Sequence, residues 1–405
     1  MTIQVGSIGA GGYAAFLLRC FDEFIPQQRA RIAAVSTSRP DRVAQAPFIA
    51  SQDAKVVGSA EELLAIKKID AVMVPTSIDS HLHYTKMALA AGKQVFCEKS
   101  VTATVQDAYE MIQAREEANK IVAIGYQDAY SRSCQWAKQT IAAGNIGEIK
   151  RAKVWATWPR PESYYARNTW AGKIKTESGA WVLDSPACNA LAHQINLLLW
   201  LTNPDPIASN RAVWVEAELY RVYDIENYDT CAIRAETATG CELLILLTHT
   251  CAVNNDPLIE IEGEKGTIRR IHPDRCQLIR GGSVVGGETN RESGPRAAMF
   301  ENWLDCIEGK SKRPASEIEN ALEVTRLVCA VSECSPIVDV NPRYTKVVQR
   351  DEDNYFRTIR DIESLFERCF DDFKMPHETR AARWTKRGRS LDMSSYDHFE
   401  NPCSG

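Results

Sequence analysis

The feature that most constrains this chain is a short apolar strand, Ile3–Ile8, that runs directly into Gly9-Ala10-Gly11-Gly12-Tyr13-Ala14 and then into a helical pattern, Ala14–Phe24. On its own, a GxGxxG/A spacing marks only a tight turn that starts a helix. Placed after the first strand and before the first helix, it has the context of a dinucleotide-binding loop. Gly9 permits the turn, Gly11 lets the backbone approach a pyrophosphate, and Ala14 is small enough for close helix–strand packing. The helix N-terminus attracts the phosphate charge. Gly12 and Tyr13 complete the expected cofactor contacts of the loop.

The next segments fit the same frame. Ile32–Ser36, Ala71–Pro75, Gln94–Cys97 and Ile121–Gly125 are short and rich in apolar or β-branched residues, with helical patterns Glu61–Lys67, Ser80–Ala91 and Val105–Asn119 between them. Strands alternating with helices predict a parallel sheet covered on both faces. Right-handed crossovers narrow this to a doubly wound α/β Rossmann domain over residues 1–127.

The end of the second strand bears on the cofactor. An acid there binds the ribose 2′-hydroxyl, whereas small hydroxyls and a basic residue accept a 2′-phosphate. This chain has Ser36-Thr37-Ser38-Arg39 and no acid before Asp41, and Arg39 offers a charged fork to a phosphate. The reading is NADP, with NAD as the alternative; Arg39 as a merely solvated residue is the competing explanation.

Composition sets the outer limits. A chain of 405 residues exceeds one typical domain. A formal net charge of -5 with scattered basic residues gives no reason to expect nucleic acid or an anionic membrane as partner. No stretch reaches the roughly 18 apolar residues of a membrane span. The 13 cysteines lack CxxC pairing, which suits reduced, buried thiols, and the start of the chain lacks a signal-peptide pattern. The expectation is a cytoplasmic protein without a metal site.

Thr76-Ser77-Ile78-Asp79-Ser80-His81 and Ala90-Ala91-Gly92-Lys93-Gln94-Val95-Phe96-Cys97-Glu98-Lys99-Ser100, taken with the glycine-rich loop, resemble the glucose–fructose oxidoreductase / inositol dehydrogenase (Gfo/Idh/MocA) family. In that family a TPxxxH-like turn and an AGKxVxxEKP-like strand end line the nicotinamide pocket; Ser77 and Ser100 stand here at the two prolines. The resemblance continues through Gly144-Asn145-Ile146-Gly147-Glu148 to about Glu333. It implies an NAD(P)-dependent oxidoreductase with Thr76, Ser77, His81, Glu98 and Lys99 at the cofactor and Lys99 catalytic. Physics agrees for Lys99, since the C-terminal end of a parallel strand borders the ligand crevice. Partial desolvation there lowers an amine's pKa toward useful proton transfer. A surface lysine paired with Glu98 is the competing reading.

From about Lys150 the pattern changes to antiparallel-type strands: Lys150–Thr157, Val213–Val222, Asp229–Ala235, Glu242–His249, Leu258–Glu262 and Thr267–Ile271. They predict an α+β domain over residues 128–335 with a mostly antiparallel open sheet, one face on the core and the other available for partners. The expected consequence is a homo-oligomer, dimer or tetramer, joined through a face that would otherwise expose Val213 and Val215. The loop after the first of these strands gathers Trp155, Trp158, Tyr164, Tyr165, Arg167, Asn168, Trp170 and Lys173. Aromatic rings stack on the CH faces of sugars, and Arg, Lys and Asn serve their hydroxyls. Trp155, on the strand, is assigned to packing; Tyr165, Arg167, Trp170 and Lys173 are the substrate candidates.

Next come Asp184, Cys188, Asn189 and His193. The family has an aspartate with a histidine four residues later, and here position 188 is cysteine. A helix starting at Pro186 and continuing to Leu201 would place Asn189 and His193 on one face, directed as Asp184 is. Lys99, Asp184 and His193 form the expected catalytic set, with Asn189 and His193 also at the substrate. A histidine bonded within helix packing remains the alternative for His193. Further on, an amphipathic helix Glu317–Glu333 is expected to return to the Rossmann domain. The extension 336–405, with a helical stretch Asn354–Phe370, is expected to wrap that domain or a neighbouring subunit.

The expected reaction is hydride transfer between a nicotinamide cofactor and a secondary hydroxyl of a sugar, cyclitol or glycoside. The same first step would also serve oxidation–elimination cleavage of a glycoside, with the cofactor used transiently. A non-catalytic dinucleotide-binding regulator is the rival of another class; Lys99, Asp184 and His193 argue against it, because a sensor needs no base.

Overall fold

The computed structural model describes residues 1–39, 43, 49, 52–273, 275–290, 294–350 and 354–403. Asp41 lies outside the described residues. The chain divides into two compact units, the first made of residues 1–102, 106–131 and 290–322, the second of residues 103–105, 132–289 and 323–405.

The first unit is built on a six-stranded parallel sheet: β1 (Ile3–Ile8), β2 (Ala30–Ser36), β3 (Lys55–Val57), β4 (Ala71–Val74), β5 (Gln94–Cys97) and β6 (Val122–Ile124), in the order β3-β2-β1-β4-β5-β6. The order reverses between β1 and β4, which opens a ligand crevice at the carboxyl ends of those strands. Both β4 and β6 are buried along their whole length, as strands covered on two faces must be. Helix Tyr13–Phe24 buries Leu17, Leu18 and Phe21. A second cover comes from late in the chain: helix Gly294–Ile307 brings Phe300 to 5.2 Å from Phe21 and 5.6 Å from Phe96, with Trp303 also 5.6 Å from Phe96. Arg29 fixes that helix by pairing with Asp305 at 2.5 Å and Glu308 at 2.9 Å.

The second unit carries strands β7 (Ile149–Thr157), β8 (Ala212–Arg221), β9 (Thr230–Thr237), β10 (Glu242–Thr248), β11 (Asn255–Gly263), β12 (Gly266–Ile271), β13 (Arg275–Arg280), β14 (Ser283–Thr289) and β15 (Ile337–Asp339). They lie in the order β14-β13-β12-β11-β7-β10-β9-β8-β15. The sheet is mostly antiparallel; β10 runs parallel to β7 and β15 parallel to β8. Helices Arg132–Ala142 and Ala192–Thr202 pack against it.

The extension departs from expectation. Asn354–Phe370 is not one helix: a hairpin of β16 (Thr345–Gln349) and β17 (Tyr355–Ile359) comes first, and only then helix Ile362–Asp372. β17 is the alternating Tyr355-Phe356-Arg357-Thr358-Ile359, a strand pattern hidden beside a strongly amphipathic helix. The extension belongs to the second unit. Ile362, Leu365, Phe366, Phe370, Met375 and Trp384 form one core with Tyr220, Ala232, Leu244 and Leu246 of the unit's own sheet. A further strand, β18 (Arg389–Asp392), pairs antiparallel with β8. Polar clamps add to this: His377 Nδ1 lies 2.6 Å from Glu218, and Arg234 bridges Glu216 at 2.6 Å and Glu378 at 2.9 Å.

The open face assigned to a partner subunit is therefore occupied by the chain itself. Val215, on the opposite face of β8, is fully buried and Val213 is half-buried, so these two do not supply the exposed apolar surface expected of them. Each large apolar side chain buried this way contributes about 1.5–3 kcal/mol. Among the described residues no helix is long and apolar enough to cross a membrane. All 13 cysteines are free thiols, and only Cys403 is not buried.

Candidate active site

In the first unit the expected cofactor residues gather at the carboxyl ends of the parallel strands. β1 ends at Ile8, and Gly9 and Gly12 take left-handed backbone angles, φ 104° and 56°. A Cβ on Gly11 would meet nothing within 4 Å, so the loop leaves open space there for a bound group. Helix Tyr13–Phe24 has no side-chain cap at Gly12 and no acid in its first turn. Its first N–H groups are thus presented as an anion site. These features fit a dinucleotide's pyrophosphate.

At the end of β2, Ser36 is buried, so its side chain is not offered to a ligand, whereas Ser38 and Arg39 are exposed. Thr37 holds the turn: its N–H donates to Val57 O at 3.1 Å, and its hydroxyl accepts from Arg39 N at 3.2 Å.

After β4 and β5 the two family-like turns are tied together by His81. Its imidazole is fully buried, with Nδ1 2.7 Å from Ser100 O and Nε2 3.1 Å from Thr76 O. Burial holds its pKa below the usual histidine value. His81 thus reaches the site through backbone, fixing Thr76 and the Lys99-Ser100 segment, and its ring is not a ligand surface. Ser80 adds a hydrogen bond to Thr76 Oγ1 at 2.8 Å. Lys99 lies two residues beyond β5, after Glu98, and the Lys99–Ser100 peptide is cis.

Glu98 is not a surface partner for Lys99. It is buried, accepts from Lys99 N at 3.1 Å, and burial raises its pKa to about 7 against the opposing charges of Lys99 and Arg296. Gly125, at the end of β6, makes room for it: a Cβ there would stand 2.7 Å from Glu98 Oε1. Arg296, on the late helix, also acts electrostatically on Tyr13. Gly125 and Arg296 were missed by sequence reasoning; the glycine ending a parallel strand was the available signal, while nothing local marked Arg296.

In the second unit the expected helix from Pro186 does not form. Residues 186–191 are turns, with Cys188 N donating to Ser185 Oγ at 3.1 Å and Leu191 N to Pro186 O at 2.9 Å, and the helix begins at Ala192. Ser185 and Pro186 offer a local turn that competes with helix entry. Asn189 and His193 are therefore not on one helical face. Asp184 and Asn189 do meet, Asn189 Nδ2 donating to Asp184 Oδ1 at 2.7 Å. The other carboxylate oxygen accepts from Gly172 N at 2.6 Å. Asp184 is 2% exposed and His193 half-buried at the start of its helix.

Gly172 is the anchor of the aromatic loop. It has φ 70°, and a Cβ would stand 2.7 Å from Ile225 Cγ2 and 3.1 Å from Tyr165 Cδ1. Its carbonyl accepts from both Glu226 N and Asn227 N at 3.0 Å. Tyr165 and Lys173 line a cavity of about 440 Å³ together with Tyr223, Glu226 and Arg357, the last supplied by the extension. Lys173 is ion-paired with Glu226 at 2.8 Å. Arg167 and Trp170 lie elsewhere: the Arg167 guanidinium stands 3.6 Å from the Tyr164 ring centre and 5.2 Å from that of Trp170. Trp155 packs on the extension, 6.4 Å from Phe370. Asp229, which the sequence did not single out, is fully buried and raised to about 7 by burial, with Val222 N and Tyr223 N donating to it.

Comparison with known proteins agrees with this architecture. Residues 3–126 match the model of the oxidoreductase family with an NAD-binding Rossmann fold, GFO_IDH_MocA, and residues 134–269 match the GFO/IDH/MocA C-terminal domain. An inositol 2-dehydrogenase of Serratia proteamaculans is 27% identical over 342 residues, covering 83% of this chain and 95% of its own. Inositol 2-dehydrogenase 3 of Saccharopolyspora erythraea is 26% identical over 313 residues, 76% of this chain and 86% of its own. Among solved structures, the WlbA dehydrogenase of Bordetella pertussis, in complex with NADH and UDP-GlcNAcA, superposes with a TM-score of 0.67 at 23% identity, covering 82% of this chain and 95% of that one. The chain belongs to the Gfo/Idh/MocA family and is an NAD(P)-dependent oxidoreductase acting on CH–OH groups.

Proposed function

We propose that this oxidoreductase moves hydride between NAD(P) and a secondary hydroxyl of a carbohydrate-type substrate: a sugar, cyclitol or glycoside. The observation that supports the reading is the segment of Lys99, two residues beyond β5, which the buried His81 ties to the turn at Thr76. Gly9, Gly11, Gly12 and Tyr13 would hold the pyrophosphate end, and Ser38 and Arg39 the adenosine ribose. Nicotinamide, when bound, supplies the hydride acceptor or donor. Lys99 takes the hydroxyl proton in oxidation and returns it in reduction. A lysine can do this near neutrality once partly desolvated. Asp184 and His193 are the second unit's candidates for acid–base work, and Asn189, held by Asp184, for binding a substrate hydroxyl. The relatives named inositol 2-dehydrogenase support a polyhydroxylated substrate. NADP is the preferred cofactor on the strength of the exposed Ser38 and Arg39, and the 13 free thiols favour a reducing, cytoplasmic setting.

The test is a panel of cyclitols, sugars and glycosides, each assayed with NAD and NADP for absorbance change. Substrate-dependent NAD(P)H formation supports the reading. Aglycone release without reduced cofactor accumulating would instead assign the first step to oxidation–elimination.

A further inference from the structure

Several arginines of the second unit are paired with acids. Arg151 meets Glu262 at 2.6 Å, Arg234 meets Glu216 at 2.6 Å, Arg269 meets Glu260 at 2.6 Å and Arg357 meets Glu162 at 2.7 Å. Arg160 and Arg167 are not so paired and share one aromatic neighbour: among the described residues neither has an acid within 4.0 Å, and Arg167 donates to Tyr164 O. Glu162, two residues from Arg160, is turned to Arg357 instead. Both guanidiniums stand over the ring of Tyr164, at 5.0 and 3.6 Å from its centre. The Nε of Arg160 is buried and has no hydrogen-bond partner. A buried charged donor left this way is costly, and an incoming anion relieves the cost.

We propose that Arg160 and Arg167 form the cradle for an anionic oxyacid group, carboxylate or phosphate, on the substrate. This deepens, and rests on, the carbohydrate oxidoreductase reading. The planar guanidinium fork matches either anion. The neighbouring His249 is suited to the polyol beside that group. Its ring is 5.9 Å from that of Tyr164, and Nδ1 lies 2.9 Å from Trp158 O. A carbonyl must accept, so Nδ1 carries the proton and Nε2 is left as an acceptor for a hydroxyl. Burial and the charge of Arg160 hold the imidazole neutral, down to about 3, so it retains that acceptor at any working pH. Tyr165 links the cradle to the Asp184–Asn189 pair: its ring lies 5.2 Å from that of Tyr164 and packs beside Gly172, whose N–H donates to Asp184 Oδ2.

The test uses the full chain with saturating NAD(P) and matched neutral and anionic compounds: glucose, glucuronate and glucose 6-phosphate. Calorimetric binding and kcat/KM are read for wild type, Arg160→Gln, Arg167→Gln and Arg167→Lys. Wild type should favour one or both anions over glucose by at least about 10-fold. Each Gln variant should erase that preference while leaving cofactor affinity unchanged and without lowering the unfolding midpoint, and Arg167→Lys should keep part of it. Preference for glucuronate alone makes the ligand a carboxylate; for glucose 6-phosphate alone, a phosphate. Equal binding of glucose and both anions, or an anion preference that survives both Gln changes, overturns the proposal. Anion binding that depends on the arginines without any oxidation would leave the cradle standing and refute the oxidoreductase reading on these compounds.

Discussion

Asn189 Nδ2 donates to Asp184 Oδ1 at 2.7 Å. With Gly172 N on the other oxygen at 2.6 Å, the carboxylate joins the turn before helix Ala192–Thr202 to the aromatic loop. We assign Asp184 a positioning role on that geometry. Asp184→Ala should lower turnover at least about 10-fold and speed protease cleavage within residues 166–184, with cofactor affinity unchanged. Asn189→Ala should add little in that background, since the two act as one unit. Fully additive losses would show that they act separately.

The buried Glu98 gives a pH signature. Its folded-state pKa of about 7 lies above the ordinary 4.5, so between these values the folded protein binds the extra proton. Stability from this group is present below about pH 4.5 and is lost as pH rises through about 7, on the order of 3 kcal/mol in all. Glu98→Gln should flatten that part of the urea-unfolding profile relative to wild type. An unchanged slope would place the proton elsewhere.

The extension is part of the second unit's core. Phe366→Ala should cost about 3–5 kcal/mol of stability, read from denaturant unfolding, because the ring is fully buried against the sheet. A change under about 1 kcal/mol would mean that the extension is only loosely held.

Much of the first unit was legible because its code is local: a strand, a glycine turn and a helix follow one another, and the repeat of strand and helix dictates the sheet. The second unit's misreadings have the same physical origin as one another. β10 contains the unbroken apolar run Leu243-Leu244-Ile245-Leu246-Leu247, and such a run is a strand buried on both faces, not one with a free side. That run announced a cover for the outer face; which segment supplied it was a long-range fact. The Arg160, Tyr164 and His249 grouping was likewise hidden, since His249 lies far along the chain from the loop it supports. Asn189 and His193 were misplaced because a four-residue spacing was read as helical across the Ser185-Pro186 turn.

The proposed preference for NADP rests on Ser38 and Arg39. NADP should bind more tightly than NAD by calorimetric titration, and Arg39→Ala should weaken NADP at least about 10-fold while hardly changing NAD. Tighter NAD binding by the wild type would reverse this assignment.

The central claim is that Lys99 moves the substrate proton. The most direct measurement is single-turnover NAD(P)H formation by Lys99→Ala, beside cofactor affinity on the same preparation. The account predicts near-normal cofactor binding and a rate lowered by at least about 100-fold, the usual scale for a lost acid–base group. Lys99→Ala turning over at close to the wild-type rate would contradict it.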